Sequence, residues 1–189
     1  MEVERLRGRL DSVEWNTEPY SWFYQTDVFS PQFYQEMMDN LPETIRYRRY
    51  NDKYRDRYLF DMHSDPFWNN VDLMFRFIYG NNIRTQLCRD FGGYCIGPHT
   101  DGRKETKTIL FYLPKDSSKP DLGTSVYIPK NRSFTCDGSK HHDFDKFDKV
   151  FTAEYKPNTC FGFIRSDNSF HGVEPSTNER NLMQVSVWR

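Results

Sequence analysis

No stretch of the sequence approaches the ~20 consecutive apolar residues that a membrane helix needs, so no helical span is expected. The N-terminus, MEVERLRGRLDSVEW, carries a charge every few residues and has no apolar core, so it does not read as a secretory signal. A net charge of one sign is missing too. Lys and Arg number 26 against 27 Asp and Glu, which excludes a global field drawing the chain to nucleic acid or an anionic membrane. Charge-based recognition must be local. The four cysteines, Cys88, Cys95, Cys136 and Cys160, show no C-x-x-C spacing, which argues against a structural zinc site and a thioredoxin-like motif. Reduced thiols in a soluble, cytoplasmic protein are the expectation.

Aromatic side chains are plentiful: 16 Phe, 12 Tyr and 4 Trp. Each can bury roughly 150 to 250 Å², so a substantial core is available although the hydrophobic fraction is modest. At 189 residues the chain falls below the roughly 250 at which single cores split, and one domain is expected over 1–189. Within it, residues 1–82 read as a helical, substrate-side region and 83–189 as a β core.

Ser30-Pro31 supplies an N-cap followed by proline at the first helical position. Phe33, Tyr34, Met37, Met38 and Leu41 then share one face before Pro42, predicting a short amphipathic helix. Asp65-Pro66 repeats the signal, and Phe67, Val71, Met74, Phe75 and Ile78 keep helical spacing up to Gly80, predicting a helix over 66–79. Residues 1–28 have only weak periodicity, with Pro19 interrupting, and carry no firm element. The run RYRRYNDKYRDRY (46–58) sets Arg46, Arg48, Arg49, Lys53, Arg55 and Arg57 against Asp52 and Asp56.

After Gly80 the period changes to two. Ile83, Thr85, Leu87, Arg89 and Phe91 alternate with Arg84, Gln86, Cys88 and Asp90, as in a half-buried strand. Further strands are predicted over 106–114, 123–129, 149–155, 159–164, 169–173 and 181–188. Short strands in this number, behind N-terminal helices, predict a mainly β fold of jelly-roll or cupin-like architecture. The 130–148 connection, with Asp137-Gly138, His141 and His142, reads as a surface loop of the kind that carries substrate contacts.

Chemistry concentrates at His99-Thr100-Asp101. Residues i and i+2 of a strand face the same way, so His99 and Asp101 can share one ion. His171, 72 residues further on, can join them only in a rolled sheet. Two imidazoles and a carboxylate suit a non-heme ferrous ion with open coordination positions. Arg180 follows His171 by nine positions, and Tyr112 ends the strand that opens soon after Asp101. Taken alone, Arg180 could be a surface cation and Tyr112 a core aromatic. Thr108 and Tyr94 are further candidates for the pocket wall.

With these residues in place, the chain over about 83–189 resembles the iron(II)- and 2-oxoglutarate-dependent oxygenases. Their double-stranded β-helix carries H-x-D, a distal His and a basic residue about nine or ten positions later. TILFYLPKD is similar to the strand after H-x-D in prolyl hydroxylase-type members. CRDFGGYCIGPHTDG, LGTSVYIP and FHGVEP are similar to bacterial and phage-type oxygenase-like proteins. The resemblance implies Fe(II) on His99, Asp101 and His171, and 2-oxoglutarate held at its far carboxylate by Arg180 and Tyr112. O₂ would be consumed, succinate and CO₂ released, and a C–H bond of the substrate hydroxylated. The R-x-S pair of the plant and penicillin-type enzymes is missing, since Asn181 and Leu182 follow Arg180. Asp101 argues against the halogenase variant, in which a small residue replaces the carboxylate.

Two other classes stay open. A cupin-like metal enzyme that does not use 2-oxoglutarate would share the ligand triad but has no need of Arg180. A non-catalytic module could grip an anionic polymer through the 46–58 arginines and tyrosines. For the enzyme, the expected partner is a polar or anionic substrate, a small molecule, sugar or peptide, with 46–58 and 130–148 flanking the mouth of the site. No membrane partner is expected.

Overall fold

The alternating second half of the chain rolls into two antiparallel sheets in the computed structural model, which describes residues 1–50, 56–138 and 140–189. Three helices, α1 (Glu2–Asp11), α2 (Pro31–Asp39) and α3 (Pro66–Tyr79), accompany strands β1 (Trp22–Thr26), β2 (Arg48–Arg49), β3 (Arg57–Phe60), β4 (Ile83–Asp90), β5 (Ile96–His99) and β6 (Glu105–Tyr112). The remaining strands are β7 (Ser125–Pro129), β8 (Phe147–Thr152), β9 (Thr159–Ile164), β10 (His171–Val173) and β11 (Arg180–Trp188). The large sheet runs β1-β9-β6-β11-β4-β3-β2 and the small one β5-β10-β7-β8. From β4 onward the chain passes repeatedly between the two sheets. This is the jelly-roll, double-stranded β-helix expected from the sequence.

The two predicted helices form where their caps place them. Ser30 Oγ accepts from the Phe33 amide at 3.2 Å, and Asp65 Oδ1 accepts from the Phe67 and Trp68 amides at 3.0 and 3.3 Å. Gly80 closes α3 with a φ of 80°, a conformation costly for any residue with a Cβ. Helix α1 lies in the stretch without a firm element. Its apolar face is only Val3, Leu6 and Leu10, the two leucines buried, and its position is fixed by partners distant in sequence. Arg9 Nη2 donates to the Thr26 carbonyl at 2.6 Å, and Glu2 Oε1 accepts from the Ser30 amide at 2.9 Å.

Period-two alternation sorts each large-sheet strand into an outer and an inner face. Ile109 and Phe111 of β6, Met183 and Val185 of β11, and Ile83 and Leu87 of β4 pack outward on Met37, Trp68, Val71 and Phe75 of the helices. Leu110, Tyr112, Leu182, Phe161 and Phe163 point inward, toward Val126 of the small sheet. Strand β4 departs from the half-buried expectation. Helices cover its Ile83 and Leu87 side, while Cys88 and Asp90 are buried on the inner side.

Strands β1, β2 and β3 were not anticipated, and β5, the strand expected to carry His99 and Asp101, ends at His99. The first three extend the large sheet beyond its β-helix core, so residues 1–82 contribute to the sheet as well as covering it. Strand β8 begins at Phe147, inside the stretch expected to be loop. No helix among the described residues is long and apolar enough to cross a membrane, and all four cysteines are free.

Phe75 is fully buried, with its ring centroid 5.1 Å from that of Phe111 across the helix–sheet interface. Phe75→Ala removes a large side chain from a packed site and should cost about 3 to 5 kcal/mol. Urea unfolding monitored by tryptophan fluorescence measures the loss; a change below about 1 kcal/mol would contradict this packing.

Candidate metal centre

His99 is the last residue of β5 and His171 the first of β10. The two stand opposite each other in register, with ring centroids 4.3 Å apart. Asp101 lies two residues beyond β5, outside the strand, yet still on the side of His99. Thr100, between them, is buried and turned elsewhere: its hydroxyl donates to the Cys136 carbonyl at 2.9 Å.

Both imidazoles are oriented by the backbone. His99 Nδ1 lies 2.9 Å from the Gly97 carbonyl and His171 Nδ1 3.0 Å from the Ser169 carbonyl. A carbonyl can only accept, so each Nδ1 carries a proton and each Nε2 is the nitrogen left to face the cavity. Asp101 Oδ1 lies 3.9 Å from His99 Nε2 and 3.4 Å from His171 Nε2. Its other oxygen, Oδ2, accepts from the Thr108 hydroxyl at 2.6 Å, and Arg165 Nε donates to the Asp101 carbonyl at 3.1 Å. One ligand atom from each of the three residues falls within 4.8 Å of the others, the separation of donors around a single ion.

Burial lowers the basicity of His99, and the neighbouring His171 lowers it further, against the pull of Asp101. Burial acts the same way on His171, but there the charge and hydrogen bond of Asp101 outweigh it and raise the imidazole above its ordinary value. Burial opposes ionisation of Asp101, yet His171, His99 and the Thr108 hydroxyl hold the carboxyl well below the usual carboxylate range. The triad is thus a carboxylate facing two imidazoles, one of them already neutral. Nearby Glu105 is pushed upward by burial and by the Asp101 charge.

The triad faces a cavity of about 370 Å³. At one end of this cavity a buried carboxylate, Asp90, is held by two guanidinium groups. Arg57 grips it with Nε at 2.6 Å and Nη2 at 2.9 Å, while Arg180 Nε reaches Oδ2 at 2.8 Å. Arg180 Nη1 donates to the Leu122 carbonyl at 2.7 Å, and its Nη2 makes no hydrogen bond among the described residues. Both guanidiniums lie over the Tyr94 ring, Arg57 at 4.5 Å and Arg180 at 5.7 Å from its centroid. Two cations sharing one anion leave an excess positive charge at this wall.

His99, Asp101, His171, Thr108, Tyr94 and Arg180 therefore share one cavity, and Tyr112 is set apart from it. Tyr112 is fully buried, and its hydroxyl accepts from the Thr124 amide at 2.9 Å; Thr124 is the residue that lines the wall. Arg180 is only 4% exposed, which disposes of a surface cation. Asp90, Arg165 and Glu105 were not singled out from the sequence, and Arg57 was noted only within a basic run. The signal for Asp90 was a carboxylate at an inward position directly opposite Arg180, visible only once the β4–β11 register is known.

The two segments expected at the mouth both contribute to the wall, 46–58 through Tyr50 and Arg57 and 130–148 through Gly138 and His141. Residues 51–55, with Lys53 and Arg55, lie outside the described residues. Gly138 has a φ of 89°, and a Cβ there would run into the Asp101 carbonyl. His141 stacks edge-on to His99 with ring centroids 4.7 Å apart.

No protein-family model matches the chain, and no curated protein matches it. Solved structures do. A prolyl-4-hydroxylase from Pseudomonas putida superposes with a TM-score of 0.63 at 12% identity, covering 97% of this chain and 98% of that one. A prolyl hydroxylase from Trichoplax adhaerens, in complex with a hypoxia inducible factor peptide fragment, gives 0.59 at 12% identity over 98% and 88% of the two chains. HygX from Streptomyces hygroscopicus, with nickel and 2-oxoglutarate bound, gives 0.53 at 11% identity over 98% and 86%. At such identities the likeness is one of fold: this chain has the double-stranded β-helix of the prolyl hydroxylases and related 2-oxoglutarate-dependent enzymes.

Proposed function

We propose that the protein is an Fe(II)- and 2-oxoglutarate-dependent oxygenase that hydroxylates a C–H bond of a polar or anionic substrate. The observation that carries this reading is the pairing, in one cavity, of the His99–Asp101–His171 donor set with the cationic wall of Arg57 and Arg180. The bound iron would supply oxidation by O₂ coupled to decarboxylation of the keto acid to succinate and CO₂.

The residues fit that group. Nitrogen, nitrogen and oxygen donors suit iron, and the carbonyls of Gly97 and Ser169 fix the tautomers that ligation needs. Thr108 holds Asp101 Oδ2, so Oδ1 is the oxygen offered. Arg180 Nη2 is placed for the far carboxylate of 2-oxoglutarate, with Arg57 adding charge and Tyr94 stacking beneath both cations. Tyr112 acts from behind, fixing the Thr124 amide in the wall. HygX, solved with nickel and 2-oxoglutarate, supports the same pair of ligands here.

A cupin-like metal enzyme without 2-oxoglutarate has one observation in its favour: Arg180 already serves Asp90 and Leu122. The deciding measurement is a 2-oxoglutarate titration under anaerobic conditions with Fe(II) present. Losing a charge-assisted hydrogen bond costs about 1.5 to 3 kcal/mol, so Arg180→Ala should weaken binding roughly 10- to 150-fold while Fe(II) affinity holds. Unchanged 2-oxoglutarate affinity would move the assignment to the cupin-like class.

Metal affinity should also report the histidines. His171, raised by Asp101, must give up its proton to ligate, whereas His99 has already lost it. Mn(II) affinity, measured by calorimetry without 2-oxoglutarate, should climb with pH through a value above the ordinary histidine range and then level off. A flat profile across that range would show that His171 is not a ligand.

A further inference from the structure

A second groove, of about 460 Å³, opens beside the metal cavity and shares Tyr50, Leu59, Arg84 and Gln86 with it. Its wall is rich in arginine. Arg49 is paired with Asp56 at 2.8 Å, and Arg76 with buried Asp72 at 2.6 Å. Asp61 also lines the groove, with Oδ1 accepting from the His63 amide at 3.0 Å. Arg48 and Arg84 make no hydrogen bond or ion pair among the described residues. Arg84 sits on β4 opposite Ser186 of β11, two residues from Gln86, which itself stands opposite Gln184. Its guanidinium therefore lies where the groove meets the metal cavity.

With Arg49 and Arg76 matched to carboxylates, Arg48 and Arg84, unpaired among the described residues, line one concave groove and can receive an oxyanion. Two unmatched guanidiniums favour a doubly charged group over a single carboxylate, because each can donate paired hydrogen bonds to phosphate oxygens. We propose that this groove binds a phosphate monoester on the primary substrate, with Arg84 as its anchor and Arg48 as the outer cation. The phosphate lies in the groove and the rest of the substrate enters the metal cavity past Tyr50 and Gln86. The anion site stands on its own geometry; only the oxidation of its occupant rests on the oxygenase reading.

The test is a titration of the full-length protein, loaded with Zn(II) and 2-oxoglutarate, with phenyl phosphate as the probe, followed by NMR of the arginine side chains and by calorimetry. Loading separates the two claims, since 2-oxoglutarate binding is scored before the probe is added. The expected result is saturable binding that Arg84→Gln weakens about 3- to 10-fold, the loss of one exposed anchoring cation, with a smaller loss in Arg48→Gln, which does not line the metal cavity. Unaltered binding in Arg84→Gln, or no saturation in the wild type, would overturn the proposal. So would probe binding seen only before 2-oxoglutarate is added, which would place the anion at the cationic wall of the metal cavity. Displacement of the probe by a single-stranded oligonucleotide, with affinity falling steeply as salt rises, would make the groove a polymer track and overturn it equally.

Discussion

The Asp90 carboxylate is 1% exposed, and a buried charge survives only if it is paired. Its two partners come from different strands: Arg57 from β3, beside β4, and Arg180 from the start of β11. The arrangement ties the N-terminal extension of the large sheet to the β-helix core. It also fixes the direction in which two otherwise flexible side chains meet the cavity. Truncating either arginine would leave the other still holding the carboxylate, whereas removing Asp90 would leave two guanidiniums face to face with no anion between them. The orientation of the cavity's cationic wall follows from this one acid.

The large sheet carries two kinds of inner surface. Toward β9 and the lower part of β6 the inward residues are Phe161, Phe163, Leu110 and Tyr112, which pack against Val126 and Tyr155. Toward β4 and the upper part of β11 they include Arg84, Gln86, Gln184 and Ser186. A jelly roll filled with apolar side chains throughout would have no cavity. Here the polar strip keeps the barrel open on the side that faces the histidines, while helices on the outer face bury the other half of each alternation.

Much of this was legible in the sequence, and the reasons are specific. Helices α2 and α3 announce themselves through Ser30-Pro31 and Asp65-Pro66, because caps are local chemistry. The β-helix strands follow from alternation, and the nine-residue step from His171 to Arg180 is a spacing that one chain can show. What was hidden depends on pairing between distant segments. Helix α1 has two buried leucines and is held by Thr26 and Ser30, so its own periodicity is weak. Strand β4 looked half-exposed because a single-strand pattern cannot show what covers its second face. Tyr112 stood at the right distance from Asp101 along the chain, but only the fold shows that its hydroxyl turns toward Thr124. Arg57 was concealed in a run of similar cations until register set it against Asp90.

The 130–148 segment is moored at two points to the stretch that carries His99 and Asp101. The Cys136 carbonyl takes the Thr100 hydroxyl, and the His142 amide donates to the Pro98 carbonyl at 2.9 Å. Thr100 separates His99 from Asp101, and Pro98 directly precedes His99. Between the moorings stand Asp137, Gly138 and His141, the last of them against His99. Apart from Gly138, where a Cβ would strike the Asp101 carbonyl, the described residues between the moorings carry none of the bonds that orient the two imidazoles. Changes at the segment's other positions would reshape one wall of the cavity while the His99–Asp101–His171 cluster keeps its orientation.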